Sequence, residues 1–181
     1  MKPLIVEPSR ETEAELNSFL DDRIYEFNVQ ATGFRDGRPF AGVIKDESGN
    51  IIAAINGHTW GDCCYVAHLW VHESQRGHGI GSALLRSAED EAMRRGCTQA
   101  LLLTHSFQAT EFYERLGYVR QATIPNYPQG HAQHVYLKRF ANENGTQPRV
   151  GPDLWLAFAH RGRSTRPLGA LAEERMHELF R

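Results

Sequence analysis

The chain has 181 residues, of which 41% are hydrophobic, and this is enough for one globular core but not for two full domains. With 20 Lys and Arg against 22 Asp and Glu, the net charge is −2, so composition predicts no nucleic-acid partner and no membrane partner. The start, MKPLIVEPSRE, resembles neither a signal peptide nor a spanning helix. Its 3 cysteines form no CxxC pair, and we therefore expect a cytoplasmic protein with free thiols.

Strands and helices alternate along the first part of the chain. LIVEP, residues 4–8, is a short strand candidate, and from Ser9 onward the apolar residues have the spacing of one helix face. FAGVIKD, residues 40–46, and IIAAINGH, residues 51–58, predict a hairpin whose turn contains Gly49-Asn50. CCYVAHLWV, residues 63–71, is typical of a buried strand.

The second part continues the alternation. An apolar stripe predicts a helix from residue 80 that ends at Gly96, and its pairs such as Glu91 with Arg95 are expected to be solvated surface contacts. Beyond it we predict a strand at ALLLT, a helix at QATEFYERL and a last strand at HAQHVYLKRF, residues 131–140. The sum is an α/β, or mixed α+β, domain over residues 2–140. Residues 141–181 form a C-terminal extension, partly irregular, with one short helix candidate.

Three glycines in QRGHGIGSALL, residues 75–85, join the buried strand to the following helix. Backbone N–H groups and the helix dipole in such a turn bind anions, phosphates among them. A dinucleotide-binding G-x-G-x-x-G motif does not fit, because Ser82 and Leu84 stand where its last glycine is required. A P-loop does not fit either, because no lysine lies between Lys45 and Lys138. The glycines alone leave open whether the turn binds an anion or only needs their conformational freedom.

The spacing R-x-x-G-x-G, from Arg76 to Gly81, resembles the motif of the GNAT superfamily of N-acetyltransferases, in which Gly77 occupies a free position. Residues 69–73, LWVHE, are similar to the end of the strand that precedes this motif in the family. Ala109 with residues 112–118, FYERLGY, resembles a second family motif, A-x-x-x-Y-x-x-x-G-F/Y. Both motifs stand at the family's separation, and the resemblance covers about residues 2–140.

The resemblance implies a GNAT-like fold, a central and mostly antiparallel sheet flanked by helices, with acetyl-CoA as cosubstrate and no metal. It also implies a set of cofactor-binding residues at the end of the strand, in the glycine turn and near the second motif. Ser106 stands where many relatives carry asparagine and is a shorter donor. The full set is Leu69, Trp70, Val71, Arg76, Gly77, His78, Gly79, Ile80, Gly81, Ser82, Ser106 and Tyr113.

Two residues are candidates for acid and base. Tyr113 would protonate the departing thiolate, because a phenol with an ordinary pKa of about 10 stays protonated at neutral pH. His68, on the strand at residues 63–71 that begins near Asp62, is the candidate base. Leu101 stands where relatives that acetylate ribosomal-protein N-termini carry a glutamate base, which argues against that role. The alternatives are a packed aromatic at Tyr113, a hydrogen-bonded core or rim histidine at His68, and catalysis through an ordered water.

Histidine spacing predicts no metal site. His68 and His72 are four residues apart, which on a strand separates them by about 13 Å, beyond the reach of one ion. His131 and His134 differ by three positions, so a strand would place them on opposite faces.

We therefore expect an N-acetyltransferase that moves the acetyl group of acetyl-CoA to a primary amine of a small molecule or protein by direct attack in a ternary complex. The amine would approach past the first helix, the loop after it and the last hairpin, where the loop with Pro125 and Pro128 is a candidate wall. Candidate contacts for a cationic amine in these segments are Tyr25, Glu26, Phe34, Trp60 and Tyr127, with ordinary loop roles as the alternative. A homodimer is a candidate assembly, with LWLAFA, residues 154–159, as its surface. The alternatives are a GNAT-like module that binds acyl-CoA without turnover and an unrelated nucleotide-binding α/β protein.

Overall fold

A computed structural model describes residues 12–140 of the chain. The strand predicted at residues 4–8 and the extension at residues 141–181 lie outside the described residues. The described part belongs to two compact units, one with residues 12–34 and the other with residues 35–140.

The first unit contains the predicted first helix, α1 (Glu13–Thr32). Thr12 caps it, since its side chain accepts from the Glu15 amide at 3.3 Å while the Glu15 carboxylate accepts from the Thr12 amide at 2.9 Å. Gly33 ends the helix with φ 78°, and its amide donates to the Val29 carbonyl at 2.8 Å. This reciprocal cap fixes the start of the helix by satisfying N–H groups that have no partner in the first turn.

The second unit is built on a six-stranded sheet in the order β1-β2-β3-β4-β6-β5. Strands β3 and β4 pair in parallel, and the other pairs along the sheet are antiparallel. The prediction of a mixed, mostly antiparallel sheet is therefore confirmed. The strands are β1 (Arg38–Lys45), β2 (Ile51–Trp60), β3 (Cys63–Val71), β4 (Gln99–His105), β5 (Val119–Pro125) and β6 (Ala132–Arg139); the helices are α2 (Ile80–Arg94) and α3 (Thr110–Arg115), with a 3₁₀ turn at Glu73–Gln75.

Strand β5 is the element that the sequence prediction missed. It lies at the sheet edge, pairs with β6, and exposes every residue from Val119 to Pro125. Without a buried face, its sequence shows no alternation of apolar and polar residues that would mark it as a strand. Pro125 is tolerated because an edge strand has one side without ladder hydrogen bonds.

One hydrophobic cluster joins α2 to the sheet. Leu84, Leu85, Ala88 and Ala92 recur at helical spacing, and all are buried in this cluster. Full burial of a leucine side chain contributes about 1.5–3 kcal/mol to the free energy of folding. Alternate residues of the central strands complete the cluster, which includes Ile55, Cys64, Val66, Ala100, Leu102 and Tyr136.

The ion pair of Arg95 with Glu91 is not the solvated surface contact that the sequence predicted. Its Nε lies 2.6 Å from Glu91 Oε1, but the side chain is only 14% exposed. The guanidinium also donates to the carbonyls of Arg38 and Pro39 and to Thr59 Oγ1 at 3.0, 3.2 and 3.2 Å. The prediction was wrong for this pair, because helix spacing alone does not show which strand lies under the helix end. Arg95 fastens the end of α2 to β1 and β2.

Candidate active site

The site begins where β3 and β4 separate. Their parallel pairing runs from Cys63 opposite Gln99 to Val66 opposite Leu102. On the other side of β3, Asn56 lies opposite His68 while Gly57 lies opposite Val66, so Ala67 is an extra residue in the ladder. Such a bulge bends its strand and redirects the residues that follow. From His68 to Val71, β3 keeps its ladder with β2 but has no ladder with β4, and Ala67 is paired with neither strand.

A cleft of about 1080 Å³ lies between the separated strands. This volume is slightly above the usual range of small-molecule sites, roughly 300–1,000 Å³. Among the described residues that line the cleft there is no Asp or Glu, and the charged ones are Arg76 and Arg115, with His68 and His105 as titratable neighbours. The cleft is therefore shaped for a large ligand and is not acidic.

The glycine turn forms one end of the cleft. Gly77 and Gly79 have φ of 79° and 81°, in the left-handed region that favours glycine, and Gly79 caps the start of α2. Within residues 12–140, the amides of residues 77–82 donate to no carbonyl. These free N–H groups and the positive end of the α2 dipole make a site for an anion.

Two glycines of the turn differ from what the motif suggests. Gly77, at a free motif position, has a conformation that requires glycine as much as Gly79 does. Gly81 lies inside α2, and a Cβ there would meet Phe112 and Val71 at 3.5 Å, an ordinary contact. The fold itself therefore explains glycine at positions 77 and 79, but not at position 81.

Most of the residues predicted to bind the cofactor line this cleft. Arg76 lies beside the glycines, and its Nε donates to the Val71 carbonyl at 3.0 Å, which ties the turn to the end of β3. His78 is exposed and is not among the lining residues. Ser106 is also outside the lining; its Oγ accepts from the Ala132 amide at 3.1 Å. The lining members of the predicted set are Leu69, Trp70, Val71, Arg76, Gly77, Gly79, Ile80, Gly81, Ser82 and Tyr113.

Tyr113, on α3, lines the cleft as well. Its ring lies at 5.0 Å from that of Phe112 and 5.9 Å from that of Tyr118, between centroids. Burial among these rings raises the pKa of the Tyr113 phenol above its ordinary value, because the phenolate is desolvated there. Tyr113 therefore keeps its proton at neutral pH, which is the form that a general acid requires.

His68, on β3 just beyond the bulge, is exposed and lines the same cleft. Its Nδ1 lies 3.0 Å from Oδ1 of Asn56, the residue opposite on β2. A carboxamide oxygen only accepts, so Nδ1 carries the proton and Nε2 is left as the basic nitrogen. Asp62, which lies near the start of the strand, accepts instead from Thr98 Oγ1 at 3.1 Å.

Asn56 was not predicted from the sequence. It is a polar residue in a mainly apolar strand, and the residue opposite it is known only once the β2–β3 register and its bulge are known. The structure brings Asn56 and His68 together and leaves Asp62 apart from them.

Neither a metal centre nor a membrane span is evident in the described part of the chain. Between residues 12 and 140, no three His, Cys, Asp or Glu side chains come together as metal ligands. In the same range, no helix has both the length and the apolar character needed to cross a bilayer.

The mixed sheet, the cleft between two diverging parallel strands and the anion site at the helix start define the architecture of an acetyltransferase. A family model described as the acetyltransferase (GNAT) family matches residues 5–118. The chain belongs to this family, as its two motifs suggested.

Named relatives are acetyltransferases too. A blasticidin-S acetyltransferase of Streptomyces morookaense is 35% identical over 114 residues, covering 61% of this chain and 84% of the relative. An acetyltransferase of Agrobacterium fabrum is 31% identical over 128 residues, covering 71% and 93%. A crystal structure of an acetyltransferase from Bacillus cereus superposes with a TM-score of 0.63 at 30% identity, covering 75% of this chain and 98% of that one. These similarities support an acyltransferase enzyme.

Proposed function

We propose that the protein transfers the acetyl group of acetyl-CoA to a primary amine of a small molecule by direct attack in a ternary complex. The observation that carries this proposal is that one cleft brings together the free amides of residue 77 and residues 79–82, the phenol of Tyr113 and the imidazole of His68. The similarity to a blasticidin-S acetyltransferase favours a small molecule over a protein as acceptor. Blasticidin S is therefore the first acceptor to test.

The cleft fits acetyl-CoA at two places. The free amides of residues 77–82 and the start of α2 suit the two charges of a pyrophosphate. The edge of β3 from Ala67 to Val71, without a ladder to β4, offers backbone donors and acceptors to an extended amide chain such as pantetheine. Acetyl-CoA supplies an acyl group activated as a thioester.

His68 would act on the amine side of the reaction. An amine attacks only with a free lone pair, and the new C–N bond leaves a surplus proton on nitrogen. Nε2 of His68 would take that proton, while Asn56 holds the opposite nitrogen of the ring. His68 would thus accept the proton, and Asn56 would orient its ring.

Tyr113 would act on the sulfur side. As the C–S bond breaks, the thiolate needs a proton, and the Tyr113 hydroxyl would donate it. Because burial raises the pKa of the phenol, the group stays protonated across the neutral range. Ionisation of the Tyr113 phenol therefore does not limit activity at physiological pH.

The test is free thiol release from acetyl-CoA with a panel of primary amines that includes blasticidin S. We expect Tyr113→Phe to lower kcat by about 100-fold or more and to leave the Kd of acetyl-CoA within about two-fold, since the ring remains. Tyr118→Phe is the matched control, because Tyr118 is a buried tyrosine that lies outside the cleft lining. Unchanged kcat in Tyr113→Phe would remove Tyr113 from the mechanism.

The second candidate function is an acyl-CoA-binding module without turnover. It would be favoured by wild-type protein that binds acetyl-CoA but releases no thiol with any amine. Catalysis through a water would instead be favoured by a His68→Ala variant that keeps its kcat.

We also propose that residues 2–140 form the catalytic domain and that residues 141–181 are an extension. We propose that the protein is cytoplasmic. LWLAFA, residues 154–159, is the proposed dimer surface. Replacing Trp155 and Phe158 with serine in the full chain should shift the protein toward monomer in sedimentation equilibrium. An unchanged mass would eliminate this surface as the main contact.

A further inference from the structure

Four aromatic side chains form a continuous patch where β4 ends beside the β5–β6 loop. The His105 and Phe107 rings are stacked, with centroids 5.2 Å apart and planes 4° from parallel. Phe107 meets His131 edge to face at 4.9 Å, and His105 meets Tyr127 edge to face at 5.6 Å. We call His105, Phe107, Tyr127 and His131 the aromatic rim; its first two members line the cleft.

Hydrogen bonds hold the aromatic rim in place. The Tyr127 amide donates to the His131 carbonyl at 3.2 Å, and the Tyr127 carbonyl lies 3.2 Å from His105 Nδ1. The Gly130 amide donates to Asn126 Oδ1 at 3.0 Å inside the same loop. Yet Phe107 and Tyr127 are 55% and 54% exposed. Apolar rings that are both exposed and fixed bind a flat apolar partner without a large loss of side-chain entropy.

The aromatic rim shares a sheet face with the candidate base. On β4, Leu102 and Thr104 are buried, so alternation turns Leu103 and His105 to the opposite face. On β3 beyond the bulge, Leu69 and Val71 pack against the core cluster, which turns His68 and Trp70 to that opposite face. His68 and the rim residues His105 and Phe107 also line the same cleft.

Charge in the cleft disfavours a polycationic acceptor. A molecule with several ammonium groups needs carboxylates to replace the water it loses, because an unpaired charge in a cleft is costly. The described lining residues include no Asp or Glu. The lining therefore offers the ammonium groups of a polyamine no ion pairs.

Building on the proposed function, we infer that the acceptor is a small primary amine that carries a flat aromatic or heteroaromatic ring, and that the aromatic rim binds this ring. A linear polyamine is the kind of acceptor that this face excludes.

The experiment compares 2-phenylethylamine, n-hexylamine and spermidine as acceptors for the full chain, by thiol release from acetyl-CoA. We expect kcat/KM to be highest for 2-phenylethylamine and lowest for spermidine. Phe107→Leu should lower the ratio of kcat/KM for 2-phenylethylamine over n-hexylamine about ten-fold, since a stacking partner of that size is lost. Ile124→Ala, at an exposed apolar position on β5 outside the rim, is the control and should keep the ratio.

The outcomes separate the two proposals. A ratio that does not change in Phe107→Leu, or a preference for spermidine, overturns the inference about the ring while thiol release still upholds acetyl transfer. A weaker Kd for acetyl-CoA in Phe107→Leu with an unchanged ratio also overturns it, because the rim would then bind part of the cofactor. If neither the three amines nor blasticidin S gives thiol release, the proposed function and the inference are both overturned.

Discussion

The two halves of β3 show how one strand serves both the core and the site. From Cys63 to Val66, ladders run on both sides of the strand, and Cys64 and Val66 are buried. Beyond the bulge residue Ala67, from His68 to Val71, only the β2 ladder continues, and His68 and Trp70 are exposed. We call these the closed half and the open half.

A single extra residue separates the two halves. Without the bulge at Ala67, the residues after it would keep the alternation of the closed half. The bulge reverses it, so that Leu69 and Val71 reach the core and His68 faces away. Stability should therefore depend on contacts around the closed half, and ligand binding and catalysis on contacts around the open half.

The largest effect is expected at an ion pair beside the closed half. Lys138, opposite Ala100 in the β4–β6 ladder, has its Nζ 2.6 Å from Oε2 of Glu89, whose side chain is 7% exposed. Lys138→Met leaves this carboxylate buried without a counter-ion and should lower the free energy of unfolding by about 3–5 kcal/mol. Guanidinium chloride unfolding followed by far-UV circular dichroism measures the loss.

A double variant provides the control for this pair. Glu89→Leu combined with Lys138→Met removes both charges and should recover most of the loss, because apolar replacement of a whole buried pair is often neutral. A loss of less than about 1 kcal/mol in the single variant, the size of an ordinary surface effect, would contradict the prediction.

The next effect is expected at the open half, at the glycine turn. Gly79→Asp forces a side chain into φ 81° and places a carboxylate among the free amides of residues 77–82. We expect the Kd of acetyl-CoA to rise about 100-fold, from repulsion added to backbone strain. Isothermal titration calorimetry gives the Kd. Gly49→Asp, at φ 86° in the β1–β2 turn, has the same strain without the anion site and should bind acetyl-CoA normally; equal losses in both variants would show that strain alone is responsible.

Much of this architecture could be predicted from local sequence. The apolar stripe at Leu84, Ala88 and Ala92 predicted α2, and the motif from Arg76 to Gly81 predicted the turn at its start. Both signals are local, since helix periodicity and turn conformation depend on residues within a few positions. The family match over residues 5–118 confirms the resemblance that these signals carried.

The missing parts depend on contacts between distant residues. Edge strand β5 has no buried face to mark it, and Asn56 meets His68 only through the register of two strands with a bulge. Arg95 and Asp62 were also misjudged for this reason, because each binds a partner far along the chain that local spacing does not reveal. Pairing across strands is a tertiary property.

A smaller effect is expected at the boundary between the halves. Asn56→Ala removes the acceptor that orients His68, and we expect kcat/KM to fall about ten-fold, as for one lost positioning hydrogen bond. Asn56→Asp keeps an acceptor at this position and should recover much of the rate. Its carboxylate also favours the imidazolium form, so the acid limb of the pH–rate profile should move to higher pH. A purely structural role would change stability but leave that limb in place.

The smallest effect is expected for the pH dependence of stability at Cys64, which is fully buried in the closed half. The pKa of the Cys64 thiol is raised from 9.0 to about 12, mainly by burial and secondly by the nearby Cys97. Below pH 9 the thiol is protonated in both the folded and the unfolded chain, so its contribution to stability is fully present. Between pH 9 and 12 the unfolded chain releases the proton and the folded chain keeps it, so that contribution is lost.

We therefore expect the drop in unfolding free energy between pH 8 and pH 10 to be smaller in Cys64→Ala than in the wild type, by about 1 kcal/mol. Urea unfolding at the two pH values gives the drop for each protein, and the cavity left by the substitution affects both values alike. Cys63→Ala, at a half-buried position on the other face of the same half, should change the drop less. Identical drops in Cys64→Ala and wild type would show that water reaches the interior of the closed half, and the contrast between the halves would then rest on pairing alone.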